Sequence, residues 1–172
     1  MVVAEGMAMG DVSIREAAAA DAAAICLIYN QGIEDRLATL ETELRTPDER
    51  HEWLGARGPR HPVVVAETGG QVVGWASLNR FNPRPAYDHV ADISVYVERA
   101  WRGRGVGRRL IERLIELGRA HAYHKLVLAA FPFNTPGMTL YERSGFRTVG
   151  IYREQGLLDG TWVDVIIMER LL

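Results

Sequence analysis

One stretch constrains the fold of this chain more than any other, the run from Ser94 to Arg119. Ser94-Val95-Tyr96-Val97 alternates like a strand, Glu98 to Trp101 interrupts it, and Arg102-Gly103-Arg104-Gly105-Val106-Gly107 is a glycine-rich turn. From Gly105 to Arg119 the apolar residues Leu110, Ile111, Leu114, Ile115 and Leu117 recur at the spacing of a helix that buries one face. Lys125 to Phe131 then predicts another strand. Strand, turn, helix and strand in that order form a βαβ crossover, so the chain is an α/β protein with helices packed on a sheet.

The flanking segments complete the same plan. Val12 to Ala17 reads as a short strand, and Asp21 to Ile33 as a helix with Ile25, Ile28, Tyr29 and Ile33 on one side. Thr46-Pro47-Asp48-Glu49 combines a Thr N-cap, Pro at the first helical position and a capping-box Glu, and predicts a helix from Asp48 to about Ala56. Pro62 to Thr68 and Gln71 to Leu78 are β-branched runs joined by Gly69-Gly70, a tight-hairpin signal. His89 to Val97 is a further strand, Pro136 to Ser144 a short helix ended by Gly145, and Phe146 to Tyr152 and Trp162 to Glu169 a last pair of strands joined near Asp159-Gly160. The result is a mixed, mostly antiparallel sheet flanked by helices. At 172 residues one domain is the default, spanning 11–172, with residues 1–10 expected to be disordered.

Composition excludes several roles. Twenty Lys+Arg against 22 Asp+Glu leave a net charge of -2, without the basic footprint that nucleic-acid binding needs. No apolar run approaches the ~18 residues of a membrane span, and the first residues lack a signal-peptide pattern, so a cytoplasmic protein is expected. Cys26 is the one cysteine, so no disulfide forms within the chain; it sits on the apolar side of the first helix as a core residue. His51, His61, His89, His121 and His124 do not pair with cysteines or carboxylates at ligand spacing, and no metal is expected.

A glycine-rich turn that opens a helix presents unpaired N–H groups to an anion. The Walker pattern fails here, because Arg108-Arg109 follows Gly107 where Lys and a hydroxyl residue belong. The dinucleotide pattern fails as well, since the order is G-x-G-x-G and no acidic residue stands about 20 positions on.

The turn resembles instead the Arg/Gln-x-x-Gly-x-Gly/Ala signature of the GNAT acetyltransferases, filled by Arg102, Gly105 and Gly107. Asn134 and the run Leu140-Tyr141-Glu142-Arg143-Ser144-Gly145-Phe146 resemble that family's second cofactor segment. The resemblance implies a GNAT fold that binds acetyl-CoA. Its contacts would be Val95 and Val97 on the strand, Arg102, Gly103, Arg104, Gly105, Val106, Gly107 and Arg108 at the turn, and Asn134 and Tyr141 beyond it. Within the family, Arg84-Pro85-Ala86-Tyr87-Asp88, Asp92 to Val97 and Gly160 to Val165 are similar to segments of phosphinothricin N-acetyltransferases, and Tyr29 to Arg36 looks most like the arsinothricin branch. This narrower resemblance implies acetylation of the α-amine of a small acidic amino-acid analogue, in a homodimer, as a detoxification. Acetylation of protein N-termini or polyamines, and a non-catalytic acyl-CoA-binding module, are the alternatives.

The chemistry needs a neutral amine, a polarised thioester and a proton for the departing thiolate. Asp92 shares a strand face with Ser94 and Tyr96, and stands where the family usually has Glu; a carboxylate of reference pKa ~3.9 acts through a water or by binding the ammonium. Tyr141, where several relatives have His, either returns the proton or packs in the core. Arg84 is the partner for a substrate carboxylate or phosphinate, or else a solvated loop residue. Tyr29, Leu40, Tyr87, Tyr96 and Trp162 complete the expected acceptor pocket, with Leu40 replacing an aromatic residue often found there.

Overall fold

The computed structural model describes residues 12–172; the disorder expected for residues 1–10 lies outside them. Seven strands, β1 (Ser13–Glu16), β2 (Val63–Thr68), β3 (Gln71–Arg80), β4 (Val90–Val97), β5 (Lys125–Ala130), β6 (Arg147–Leu158) and β7 (Thr161–Leu171), form one sheet in the order β1-β2-β3-β4-β5-β7-β6. The helices are α1 (Ala22–Glu34), α2 (Pro47–Gly55), α3 (Val106–Ala120) and α4 (Thr135–Arg143). Every strand pair is antiparallel except β4 with β5, which are linked through α3.

That parallel pair is brief. It runs from Val90 opposite Lys125 to Asp92 opposite Val127 and stops, although β4 continues to Val97 and β5 to Ala130. The two strands part at Asp92 and leave a V-shaped gap in the middle of the sheet.

Each face of the sheet has its own core. On one, Leu78, Ala91, Ile93, Leu126 and Leu128 pack under Leu110, Ile111 and Leu114 of α3. Gly74 of β3 lets α3 come close, because a Cβ there would lie 3.1 Å from both Leu110 and Val106 side chains. On the other face Val63, Val65 and Trp75 pack under Ile25 and Ile28 of α1, with Tyr29, Trp53 and Tyr96 at the margin. Burying these side chains stabilises each face by about 1.5–3 kcal/mol per large residue.

Local signals set most boundaries. Thr46 accepts the Glu49 N–H at 3.2 Å and the Glu49 carboxylate accepts the Thr46 N–H at 2.6 Å, the expected capping box. Gly69 and Gly70 both take positive φ, 54° and 77°, as a two-residue hairpin requires. The final hairpin is longer than its sequence suggests, with β6 reaching Leu158 through register shifts between Thr148/Gly150 and Tyr152/Gly156. Strand β6 is the sheet edge and leaves Val149, Ile151, Tyr152 and Leu157 exposed, beside the equally exposed Trp162. Among the described residues no helix is long and apolar enough to cross a membrane.

Candidate active site

The gap between β4 and β5 opens into a cavity of about 1100 Å³. It brings together Asp92, Val95, Tyr96, Val97, Arg102, Gly103, Gly105, Gly107, Arg108, Asn134 and Tyr141, all candidates from the sequence. Tyr29, Leu40, Arg84, Tyr87, Arg104, Val106 and Trp162 do not line it.

One end of the cavity is the glycine turn. Gly103 and Gly105 have φ of 73° and 82°, a region that a side chain makes strained, and Gly105 is the N-cap of α3. The first N–H groups of a helix have no partner within it, and Gly107 and Arg108 of that first turn border the cavity. Gly107 is needed for a different reason: a Cβ would lie 2.8 Å from Leu140 of α4.

The arginines of the turn have other partners than the sequence motif suggests. Arg102 pairs with Asp35 at 2.6 Å and donates to the Val97 carbonyl at 3.2 Å, while Arg99 joins the same Asp35 at 2.8 Å. Arg99, with Arg102 adding to it against the opposing effect of burial, holds the Asp35 carboxyl below its ordinary range. Arg104 lies over the Trp101 ring at 5.2 Å, and Arg108 is paired with Glu112. The turn is thus fastened to the end of α1 through Arg102, and its main-chain N–H groups, with the Arg104 guanidinium, are what it has left for an anion.

The β4 edge obeys the same logic. Glu98 donates its N–H to Val73 of β3, and strand alternation then turns the N–H groups of Val97 and Val95 the other way, into the gap. Their side chains pack against the α3-side core.

Asp92, Ser94 and Tyr96 share the opposite face, in register with Asn79, Ser77 and Trp75 of β3. Burial pushes the Asp92 carboxyl up to about 6, opposed by the Asn79 amide at 3.5 Å. Burial, reinforced by the negative charge of Asp92, raises the Tyr141 phenol to about 12. A carboxylate that titrates near neutrality and a phenol that keeps its proton suit an acceptor and a donor of protons. Tyr96 is stacked on Trp75 at 4.9 Å and is likewise held protonated by burial.

The remaining acceptor candidates stand apart. Tyr29 packs edge-on against Tyr96 at 5.0 Å and lies under the Arg50 guanidinium at 3.9 Å, so it supports the cavity wall from behind. Leu40 lies close over Gly156 of β6, where a side chain would have to push it aside. Arg84 and Tyr87 are exposed on the β3–β4 loop, where Tyr87 meets Phe81. Asn79 and Arg57 are not evident from the sequence. The alternation Trp75, Ser77, Asn79 in an otherwise apolar strand is the available signal for Asn79; Arg57 gives none.

Fold and cleft together define an α/β enzyme whose cavity opens at a helix start. The chain matches the acetyltransferase (GNAT) family over residues 29–146. It is 35% identical over 159 residues to the phosphinothricin N-acetyltransferase of Streptomyces viridochromogenes, covering 92% of this chain and 87% of that one. To the L-methionine sulfoximine/L-methionine sulfone acetyltransferase of Pseudomonas paraeruginosa it is 33% identical, covering 91% and 92%. The structure of a phosphinothricin acetyltransferase from Sinorhizobium meliloti in complex with acetyl-CoA superimposes with a TM-score of 0.89 at 27% identity, covering 94% and 89%. The chain belongs to the GNAT acetyltransferase family.

Proposed function

We propose that the protein moves the acetyl group of acetyl-CoA to the α-amine of a small acidic amino-acid analogue of the phosphinothricin, arsinothricin or methionine sulfoximine type, a detoxifying reaction in the cytoplasm. The observation that carries this reading is the convergence of Asp92, Tyr141 and the bare β4 edge on one cavity that ends at the glycine turn. The phosphinothricin and methionine sulfoximine acetyltransferases to which the chain is similar support it.

The residues fit the cofactor. Open space faces Gly103, and Gly105 holds the helix start in a conformation that keeps its N–H groups clear. When bound, acetyl-CoA supplies the acetyl group as a reactive thioester. The N–H groups of 103–108 would hold its pyrophosphate, that of Val95 together with Asn134 would align its arm, and that of Val97 would receive the charge that grows on the carbonyl oxygen. Asp92 binds the acceptor ammonium and removes its proton through an ordered water, and Tyr141 returns a proton to the thiolate. Gly105→Val is expected to weaken acetyl-CoA binding at least tenfold, about 1.4 kcal/mol, by calorimetry; unchanged affinity would reject the turn as the cofactor site.

Arg84, exposed on the β3–β4 loop outside the cavity lining, is the group proposed to reach the substrate's second anion. Arg84→Ala is expected to raise KM for phosphinothricin by about 10- to 100-fold, the loss of a charge-assisted bond, and to spare an uncharged amine. Initial rates on phosphinothricin, arsinothricin, methionine sulfoximine, an N-terminal alanine peptide and a polyamine test the substrate class. Turnover of the peptide or polyamine alone would overturn it. A second copy of the chain covers the exposed apolar edge of β6 in this reading, and a monomer in sedimentation would remove that part.

A further inference from the structure

The geometry points to Arg57 and Asn79 as a relay that orients Asp92: Arg57 fixes the Asn79 amide, and the amide fixes the carboxylate. Both are positioning residues, and the inference rests on the role proposed above for Asp92.

Asn79 stands directly across from Asp92 in the β3–β4 register. Its hydrogen-bonding sites are all engaged. The amide oxygen accepts from Arg57 Nη2 at 2.9 Å and from Ser77 Oγ at 2.9 Å. The amide nitrogen donates to Ser94 Oγ at 3.0 Å and reaches Asp92 Oδ2 at 3.5 Å. A guanidinium can only donate, so Arg57 decides which way the amide faces: a flip would set N–H against N–H. The nitrogen is thereby committed to the Asp92 side.

Arg57 is itself held on several sides. Nε donates to the His61 carbonyl at 2.7 Å, Nη2 also donates to the Leu78 carbonyl, and the guanidinium lies 4.5 Å from the centre of the Trp53 ring. Among the described residues it has no carboxylate partner. Arg57 is half-buried, and a partly desolvated cation that bonds only neutral oxygens polarises what it touches, here the amide whose other end meets Asp92. The groups that face Asp92 are Asn79 from β3, Ser94 on its own strand and the Tyr141 phenol from α4. None is a cation, so the amide is the donor that favours the ionised carboxylate.

The test compares full-length Asn79→Ala, Arg57→Met, Arg57→Lys and the Asn79→Ala/Arg57→Met double variant with the unaltered chain. The readouts are the pH dependence of kcat/KM and the titration of the Asp92 carboxyl carbon by NMR. Losing the amide donor is expected to move the Asp92 titration and the acid limb upward by roughly half a pH unit or more in Asn79→Ala. Arg57→Met moves them the same way, Arg57→Lys restores them, and the double variant moves no further than Asn79→Ala, because the two act in series. KM for acetyl-CoA stays unchanged in all four. Unmoved titration in Asn79→Ala, or additive shifts in the double variant, would overturn the relay. Should Arg57→Met not fold, Asn79→Ala and Arg57→Lys decide: a moved titration in the first with an unaltered one in the second supports the relay, and any other pairing ends it. Full activity of Asp92→Asn would instead defeat the functional reading, while the NMR titration would still judge the relay by itself.

Discussion

Asp92→Asn is expected to lower kcat/KM by about 10²–10⁴-fold and, at neutral pH, to make the protein more stable. The two effects have one origin. Burial raises the Asp92 carboxyl from 3.8 to about 6, so the ionised form is the disfavoured one in the folded chain. Roughly two pH units at 1.36 kcal/mol each put the cost at pH 7 near 3 kcal/mol. Proton binding sets the sign: between about pH 4 and 6 the folded state holds more protons than the unfolded state. The stability this group contributes is therefore complete below pH 4 and is lost as pH rises through 6. Asparagine keeps the shape and removes the charge. Urea denaturation at pH 7.5 is expected to show Asp92→Asn about 1–3 kcal/mol more stable than the unaltered chain, with the difference gone at pH 4. Equal differences at both pH values would mean that the carboxyl is solvated. In the unaltered enzyme kcat/KM is expected to fall below about pH 6, and the asparagine variant to lack that limb.

Tyr141→Phe is expected to cut kcat by about 10²-fold and to leave acetyl-CoA affinity unchanged. The phenol sits on α4 against the α3-side core, with Phe146 edge-on at 6.2 Å, so phenylalanine keeps its packing and removes only the hydroxyl. At about 12 the phenol carries its proton across the working range, so the group is present as a donor when the thiolate departs. A variant with full kcat would transfer that step to water. A variant that lost affinity as well would mark Tyr141 as part of the cofactor wall.

The elements written in local chemistry are legible in the sequence. The capping box at Thr46, the Gly69-Gly70 hairpin and the apolar stripe of α3 each rest on residues close together in the chain, and each stands where expected. The final hairpin reads short, because two register shifts let β6 run on past Tyr152, and irregular pairing leaves no period to detect. The same division holds at the cavity. Asp92, Tyr96 and Val97 are placed there by strand alternation, and the glycine turn by helix-start chemistry. Asn79 meets Asp92 only through tertiary register, and Arg57 meets Asn79 only through the path of the loop after α2, so nothing local to either residue announces the contact. Arg102 shows the opposite failure. Its position in the motif is visible, but its side chain is engaged by Asp35, far away in sequence, and no pattern within the motif encodes that.

The stretch of β4 from Ile93 to Val97 is freed from β5, and this divides what the protein can change from what it must keep. Main-chain N–H groups are the same whichever residue bears them, so the cofactor contacts proposed along this edge survive any substitution except proline, and packing alone selects Val95 and Val97. The other face of the same strand, with Asp92, Ser94 and Tyr96, consists of side chains, and in the proposed reading replacements there act on the acceptor side of the cavity. Descendants of this chain can therefore exchange one acceptor amine for another by ordinary point mutation while the donor half of the reaction stays intact.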